Sequence, residues 1–523
     1  MSAPAATAVG QVPNKGLITV SIMLATIMQV VDMTIVNVAL PHMQGAMSAT
    51  QDQISWVLTS YIVSAAIMTP LTGVLADRVG RKTLFVGSVI GFTIASMLCG
   101  MATSLEEIVV FRCLQGAFGA PLVPLSQAVI LDINPREKHG SAMALWGIGV
   151  MVGPILGPTI GGYLTEYQSW RWTFYINLPV GILALLGMLA FMPQSERSSR
   201  RGFDLFGFAL LSLAIGSLQL MLDRGDALDW FSSLEIIVET VISGLAAYLF
   251  VVHMFTADKP FIEPGLFKDR NFTAGVLLIF SVGVMLFSTM ALLPPFMQSL
   301  LGFPVITAGL LIAPRGIGTM VAMFAVGRLV GKVDTRALVL FGLALVAYSL
   351  WEMAKFTTDI GVYEIVYTGV FQGVGLGFIF VPLSAAAFST LPQRYRNEGT
   401  AMFSLARSVG SSIGISIVVT VLGHEAQVAH AGLSESITLF NRALLAPNVP
   451  QIWNPTTELG AVALNATVAR QALTIAYIND FRLMMYLTLA AAPLLLLIRP
   501  PKRAPAVAPN TAAAPAVARR ATG

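Results

Sequence analysis

Residues 28–41 read MQVVDMTIVNVALP and carry a single charged side chain, that of Asp32. They lie inside an apolar stretch that runs from about residue 17 to residue 40. About 20 consecutive apolar residues suffice to cross a bilayer as an α-helix, so the stretch predicts a transmembrane helix. An acid at the centre of such a helix costs roughly 2.5 kcal/mol or more on insertion scales. We therefore interpret Asp32 as a functional residue.

The composition indicates a chain whose solvent is lipid. Its 523 residues are 55% hydrophobic and 11% charged, with a mean hydropathy of +0.76, whereas soluble proteins are about 25% charged. The apolar runs are continuous, which favours helices over a β-barrel of alternating residues. The net charge of +4 is too diffuse to indicate nucleic-acid binding, and the two cysteines indicate neither disulfides nor a metal site. We expect no cofactor.

The apolar runs predict an all-α integral membrane protein with fourteen transmembrane helices. They lie near residues 17–40, 54–76, 83–102, 106–131, 139–164, 172–192, 204–222, 233–254, 272–296, 303–330, 336–355, 362–391, 397–422 and 480–499. If both termini are cytoplasmic, 22 of the 31 Lys and Arg residues fall in inner loops and tails, against five in outer loops. This bias predicts that both termini are cytoplasmic.

An internal repeat divides the chain. Val-Pro-Leu-Ser occurs at 123–126 and again at 381–384, and Gln115-Gly116 matches Gln372-Gly373 at nearly the same offset. The fourth predicted helix therefore resembles the twelfth. Two six-helix halves with two extra helices between them follow from this match. Parallel repeats of this kind describe a class of transporters that bind substrate between the halves near the midplane.

The repeat also sets the predicted domain boundaries. They are a cytoplasmic tail at 1–16, halves at 17–198 and 259–500, inserted helices at 199–258, and a disordered tail at 501–523. One outer segment, 423–478, is polar and too long for a tight turn. It is either a floppy connector or a small folded cap, because residues 456–473 have a helix-forming composition.

Two polar stripes are predicted to face an internal cavity. Asp32 and Arg112 lie at similar depth in the first and fourth helices if those helices cross in opposite directions. At 100° per residue, Gln29 and Asn37 share the face of Asp32, and Gln115 shares the face of Arg112. We predict that Asp32 takes up and releases a proton and that Arg112 tunes its pKa. The alternative is a static ion pair that fixes the two helices.

The fifth predicted helix reads GIGVMVGPILGPTIGG over residues 147–162. Small residues spaced by four make a groove that admits a neighbouring helix closely, and each proline removes a backbone hydrogen bond and kinks the helix. We interpret the motif as a hinge and seal rather than as packing alone. Its residues are Gly149, Gly153, Pro154, Gly157, Pro158, Gly161 and Gly162.

The loop after the second predicted helix reads GVLADRVGRK over residues 73–82. Gly73 and Gly80 permit close approach and a sharp turn. Asp77 is predicted to cap a moving helix. The three cations are predicted to pair with acids or lipid headgroups; they are Arg78, Arg81 and Lys82. A weaker copy, GRLVGKVDTR, lies at residues 327–336.

These motifs carry a resemblance to a known family. GVLADRVGRK resembles the signature loop of the major facilitator superfamily, and GPILGPTIGG resembles the antiporter motif of its drug exporters. WRWTFYINLPVG (170–181) and SLQLMLDRGDALDWFSS (217–233) resemble the EmrB branch of its fourteen-helix drug:proton antiporters. The resemblance implies export of hydrophobic toxic compounds in exchange for protons, with an EmrA-like periplasmic adaptor and a TolC-like outer-membrane channel. Asp32 and Arg112 match the family's coupling positions.

The remaining predictions concern helix-embedded cations and other function classes. Arg315 and Arg407 lie near mid-helix, where they either bind a substrate anion or form structural ion pairs and helix-end contacts. No GxxxxGK[ST] loop occurs, so a gradient rather than ATP is the expected energy source. The alternative function is a proton-coupled importer of a small nutrient, which the tandem Gly-Pro motif disfavours. No catalytic constellation occurs in the helices, so we expect no enzyme.

Overall fold

The computed structural model describes residues 14–194, 203–438 and 457–499, together with Asn441 and Trp453. Within these residues, fourteen helices are long and apolar enough to cross a membrane, which confirms the predicted fold class. In chain order, α1–α14 are Lys15–Met47, Gln53–Val79, Arg81–Met101, Leu105–Ile133, His139–Tyr167, Trp172–Phe191, Leu205–Arg224, Leu234–Thr256, Arg270–Leu300, Ile306–Leu329, Thr335–Met353, Val362–Ser389, Gln393–Glu435 and Glu458–Leu497. The predicted disordered tail at 501–523 and most of the amino-terminal tail lie outside the described residues.

Local signals explain where several helices begin and end. Thr50 precedes α2 and forms a capping box, in which its hydroxyl accepts from the Gln53 amide at 3.3 Å. Gly80 separates α2 from α3 with a φ of 88°, a backbone conformation that favours glycine. Gly331 takes the same φ at the matching turn between α10 and α11. The two loop motifs therefore make the same sharp turn.

Helix packing follows the internal repeat. In the first half, α1 packs on α5 and α2 packs on α4. In the second half, the corresponding helices do the same, with α9 on α13 and α10 on α12. The halves meet each other mainly along two pairs, α5 with α10 and α2 with α13, and also where α4 meets α13 and α5 meets α12. This arrangement is the two-half fold with extra central helices that the sequence predicts.

The inserted pair, α7 and α8, touches both halves. The Asp223 carboxylate of α7 accepts a hydrogen bond from Thr59 of α2. On the other side, Gln219 donates to Ser412 of α13 at 2.7 Å. The turn after α7 adds a bond from the Trp230 indole to Thr420 at 2.9 Å. The insertion therefore bridges the halves instead of standing apart from them.

The last two helices are longer than their apolar cores predict. Helix α13 continues to Glu435 and α14 begins at Glu458, although the apolar runs cover only 397–422 and 480–499. The polar extensions pair with each other, since Asn479 donates to Glu425 at 2.8 Å and His430 bonds Asn465 at 3.0 Å. A floppy connector is therefore wrong for the described ends of the 423–478 segment, because helix-forming polar residues prolong both spans.

Candidate proton-coupling and gating sites

Asp32 and Arg112 form a buried ion pair between α1 and α4. Arg112 Nη1 lies 2.7 Å from Asp32 Oδ2, and the two residues are 1% and 0% exposed. A buried pair of this kind requires hydrogen bonds to its remaining polar atoms, because removing charges from water is costly. The two residues that the sequence predicts to pair are therefore in contact. Their remaining polar atoms need hydrogen-bond partners from neighbouring helices.

Neutral side chains complete the shell around the carboxylate. Gln115 Nε2 donates to Asp32 Oδ1 at 2.9 Å, while its Oε1 accepts from Arg112 at 2.9 Å. Asn177 at the start of the long part of α6 donates to Oδ1 at 2.7 Å and to Ser96 Oγ at 2.9 Å. All are buried. Asp32 is therefore held by helices α1, α3, α4 and α6 together.

Helix α2 accommodates the guanidinium. Arg112 Nε donates to the Val57 carbonyl at 3.1 Å, and its Cζ lies 4.3 Å from the centroid of the Tyr61 ring. A cation over an aromatic face is attracted by the ring's quadrupole, most strongly where water is absent. A Cβ at Gly116 would collide with the Tyr61 carbonyl, so only glycine lets α4 lie this close to α2.

The carboxylate of Asp32 depends on three other side chains for its hydrogen bonds. It accepts one bond each from Arg112, Gln115 and Asn177 in a dry environment, and the first of these comes from a cation. If α1 moved away from α4 and α6, the carboxylate would lose those donors. Of the predicted cavity residues on α1, Gln29 is buried one turn away, whereas Asn37 is exposed.

The glycine groove of α5 receives α1. A Cβ at Gly153 would clash with Val30, one at Gly157 with Thr34, and one at Gly161 with Ile35. The Thr34 hydroxyl also donates to the Gly153 carbonyl at 3.2 Å. Gly149 faces Met23 in the same way. The four-residue glycine repeat therefore seats the helix that carries Asp32.

The other side of α5 faces the second half. Gly162 lies near Ile306 and Pro158 near Gly309, both in α10. Pro154 and Pro158 sit inside one continuous helix, so the hinge role of the motif stays a prediction. Helix α5 thus contacts both α1, which carries Asp32, and the opposite half. A hinge in α5 would transmit movement between them.

The loop motif joins the two halves at the end of the bundle that carries the basic loops. Asn397 of α13 donates to Asp77 at 2.6 Å. A Cβ at Gly73 would lie 2.9 Å from the Glu398 Cα, so glycine allows α2 to touch α13. Asp132, at the end of α4, pairs with both Arg81 and Arg396. Asp132 is a bridge that sequence reasoning missed.

The other two loop cations, Lys82 and Arg78, contact α6 and the segment before α7. Lys82 donates to the carbonyls of Leu189 and Met192, at 3.1 Å and 2.6 Å, which end α6. Cations at helix C-termini are favourable because the carbonyls there carry partial negative charge. The guanidinium of Arg78 lies 5.3 Å from the Phe203 ring centroid. Arg81 forms the predicted kind of ion pair, with Asp132.

Arg315 and Arg407 lie inside the second half. Arg315 is 5% exposed and donates to the Leu286 carbonyl of α9 at 3.4 Å. Arg407 packs its backbone carbonyl against Gly283 of α9. Within the described residues, no carboxylate forms an ion pair with either guanidinium. The structural ion-pair interpretation therefore finds no support.

Sequence reasoning missed several residues of the Asp32 site. They are Asn177, Ser96, Tyr61 and the Val57 carbonyl. Neutral polar residues in apolar helices are common, so none of them stands out as Asp32 and Arg112 do. One available signal was the WRWTFYINLPVG segment, which contains Asn177.

With the fold and this site in place, the class of protein can be stated. Residues 22–415 match the family model of the Major Facilitator Superfamily, and the chain belongs to that family. It is a multi-pass membrane transporter and not an enzyme.

Its relatives narrow the class further. The chain is 39% identical to the multidrug export protein EmrB of Escherichia coli K12, over 86% of this chain and 88% of that protein. It is 35% identical to the fatty acid resistance protein FarB of Neisseria gonorrhoeae, over 92% and 96% respectively. The human transporter MFSD10 aligns with a TM-score of 0.59 at 13% identity, covering 91% of this chain and all of that one, which shows the fold alone. The chain is thus a homologue of multidrug and fatty acid export proteins.

Proposed function

We propose that this protein exports hydrophobic and amphipathic toxic compounds across the bacterial inner membrane in exchange for protons. The observation that carries the proposal is the Asp32–Arg112 pair, a carboxylate buried between four helices and opposed by one cation. An ionisable residue inside a membrane is a functional site by default. The similarity to EmrB and FarB supports export of toxic amphipathic compounds.

In an alternating-access cycle, the Asp32–Arg112 pair would couple proton exchange to movement of the two halves. At the basic end of the bundle, the halves are joined by the ion pair of Asp132 with Arg396 and by the bond between Asn397 and Asp77. Opening this end requires these inter-half contacts to break while the opposite end closes. In the proposed cycle, Asp32 gains a proton from the outside, its bonds to α4 and α6 weaken, and the halves rock about α5. Substrate leaves outward.

The driving force is adequate for export. A proton that crosses 100 mV supplies roughly 2.3 kcal/mol. At about 1.4 kcal/mol per decade, this sustains a substrate gradient of roughly 40-fold. One titrating acid therefore suffices.

The test is proton movement in proteoliposomes that contain a pH dye. Addition of ethidium or dodecanoate should produce proton movement with the unaltered protein, and Asp32→Asn should reduce it to background. The matched control is Asp480→Asn, which removes another fully buried carboxylate, in α14, that has no ion-pair partner within the described residues. Full coupling in the Asp32 variant, or loss in the Asp480 variant alone, would place proton exchange elsewhere.

We further propose the partners that the EmrB resemblance implies, a periplasmic adaptor and an outer-membrane channel. With both termini cytoplasmic, the polar extensions of α13 and α14 project on the adaptor's side. Co-expression with the adaptor should give a complex that survives purification. Failure of the full-length chain to retain any adaptor would remove this part of the proposal.

A further inference from the structure

The Asp32 site has a counterpart in the second half, related to it by the internal repeat. Gln115 donates to Asp32 in the first half, and Gln372 donates to Thr289 Oγ1 at 3.3 Å in the second. Each bond joins the first and fourth helices of its half, and both members of the second pair lie 257 residues after those of the first. Thr289 and Gln372 are buried. Thr289 thus stands where the first half has its acid.

Packing extends the match to a third helix. A Cβ at Gly116 would collide with the Tyr61 carbonyl, and a Cβ at Gly373 would collide with the Arg315 carbonyl. Tyr61 and Arg315 therefore occupy matching positions on α2 and α10. By the same offset, Arg112 matches Gly369, and a Cβ at Gly369 would lie 3.6 Å from the Arg315 Cβ. The second half therefore carries its cation on α10, its second helix, and not on α12, its fourth.

No acid accompanies Arg315 at the position that matches Asp32, where the second half has Thr289. Within the described residues, the Arg315 guanidinium donates to the Leu286 carbonyl and forms no ion pair. A guanidinium has five N–H donors, and charged side chains inside a membrane almost always pair. The second half therefore contains a buried positive charge whose remaining N–H donors can bind an anion.

We infer that Arg315 binds the carboxylate of an amphipathic organic anion, and that this is the substrate's charged end. The planar fork of a guanidinium matches a carboxylate with two parallel hydrogen bonds. The surrounding helices α9, α10 and α12 are apolar, which suits a hydrocarbon or aromatic body. The inference rests on the proposed function. It assigns proton exchange to Asp32 in the first half and binding of the substrate anion to Arg315 in the second.

The first test is binding of matched probes to the full-length protein in nanodiscs at pH 7.5. Dodecanoate is the anionic probe, and dodecan-1-ol is its neutral counterpart. Arg315→Met should weaken dodecanoate binding about tenfold or more, because a charge-assisted hydrogen bond to the ligand is lost, and should change dodecanol binding less than twofold. Arg482→Met, which removes an exposed cation of α14, should leave both unchanged.

A second variant tests the same charge without removing the arginine. Thr289 lies one helical turn from Leu286, so Thr289→Asp supplies a carboxylate near Arg315, as Asp32 does for Arg112. It should weaken dodecanoate binding about tenfold, since the built-in acid competes with the ligand. The neutral Thr289→Asn should keep binding within threefold. This pair stays informative if Arg315→Met does not fold.

Failure of the inference is distinguishable from failure of the proposed function. Dodecanoate binding that is unchanged in both Arg315→Met and Thr289→Asp overturns the anion site, even if ethidium still drives proton movement through Asp32. Arg315-dependent dodecanoate binding, together with no proton movement for any probe, would instead support the anion site and overturn proton coupling.

Discussion

The two halves share a scaffold and differ in charge. Gly116 and Gly373 allow equally close packing, and Gln115 and Gln372 make matching interhelical bonds. At these matched positions, the first half has an acid and a cation that neutralise each other, whereas Arg315 of the second half has no ion pair within the described residues. The packing residues of the repeat are retained while its charges differ, which is what the proposed division of tasks between the halves requires. An acid and a cation that neutralise each other suit reversible protonation, and a cation without a counter-ion suits an anionic ligand.

The largest expected effect comes from Arg112→Met. Removal of one partner leaves Asp32 buried without its counter-charge, which typically destabilises a protein by about 3–5 kcal/mol. The apparent free energy of unfolding, measured by thermal denaturation in detergent, should fall accordingly. The double variant Asp32→Leu/Arg112→Met removes both charges and should recover most of the loss.

Arg315→Met is the matched comparison in the second half. This change removes a buried charge that has no protein counter-charge, so its stability without ligand should stay the same or rise. An equal loss for Arg112→Met and Arg315→Met would mean that an acid outside the described residues pairs with Arg315. The contrast between the halves would then fail.

The second prediction concerns membrane voltage. If the proton and the anion move in opposite directions, two charges cross the potential per cycle, compared with one for a neutral substrate. Each charge contributes roughly 2.3 kcal/mol per 100 mV, so dodecanoate export should gain about 40-fold more gradient per 100 mV than dodecanol export.

The measurement is the steady-state gradient in proteoliposomes at several potassium-diffusion potentials with equal pH on both sides. Gramicidin, which collapses the potential, is the control and should abolish both gradients. Identical voltage dependence for the two probes would show that the substrate crosses in neutral form. The anion site would then lose its energetic role.

The third prediction tests what the halves share. Gly116→Ala and Gly373→Ala each force a Cβ into a backbone carbonyl of the neighbouring helix, and such overpacking costs about 1–3 kcal/mol. Both variants should lower the apparent unfolding free energy by a similar amount. Gly87→Ala in α3 is the control, because a Cβ there meets nothing within 4 Å. A loss of stability for only one of the two variants would show that the halves do not share this packing requirement.

Most of the fold follows from the sequence because lipid requires continuous apolar runs. All fourteen spans were predicted in this way, and Lys and Arg gave the expected orientation. The ends of α13 and α14 were underestimated, since helices that leave the lipid continue in polar residues such as those of 456–473. Hydrophobicity reports where a helix is in lipid, and it does not report where the helix stops.

The candidate site was only partly predictable for a similar reason. Asp32 and Arg112 are conspicuous because charge is rare in apolar helices, and the helical period placed Gln115 beside them. Asn177 and Ser96 are short neutral side chains on other helices, so only the packing of α3 and α6 brings them to the carboxylate. The position of Arg315 relative to Thr289 likewise depends on how α10 lies against α9.

The smallest expected effect lies in the inserted helices, which belong to neither half. Asp204 precedes α7 and accepts hydrogen bonds from the Gly207 and Phe261 amides, at 2.8 Å and 2.9 Å, and from His253 of α8 at 2.9 Å. Burial alone would raise the pKa of Asp204, but these hydrogen bonds outweigh it and lower the pKa below its ordinary value. A lowered carboxyl pKa stabilises the folded state above the unfolded pKa, and this stabilisation is lost as pH falls through the folded value.

Asp204→Asn therefore tests whether the insertion is held by charge. Asparagine still caps a helix, but hydrogen bonds to a neutral acceptor are weaker than those to a carboxylate, so the loss should be about 1 kcal/mol at pH 7, well below that of Arg112→Met. The difference from the unaltered protein should begin to shrink as the pH falls below about 4, the ordinary Asp pKa, because the unfolded chain then binds a proton that folded Asp204 does not yet bind. It should disappear once the pH lies below the folded pKa and Asp204 is neutral like asparagine. Thermal denaturation at pH 7, 5 and 3.5 measures this. A difference that stays constant over that range would mean that hydrogen-bond geometry, rather than the carboxylate charge, holds the inserted helices between the two halves.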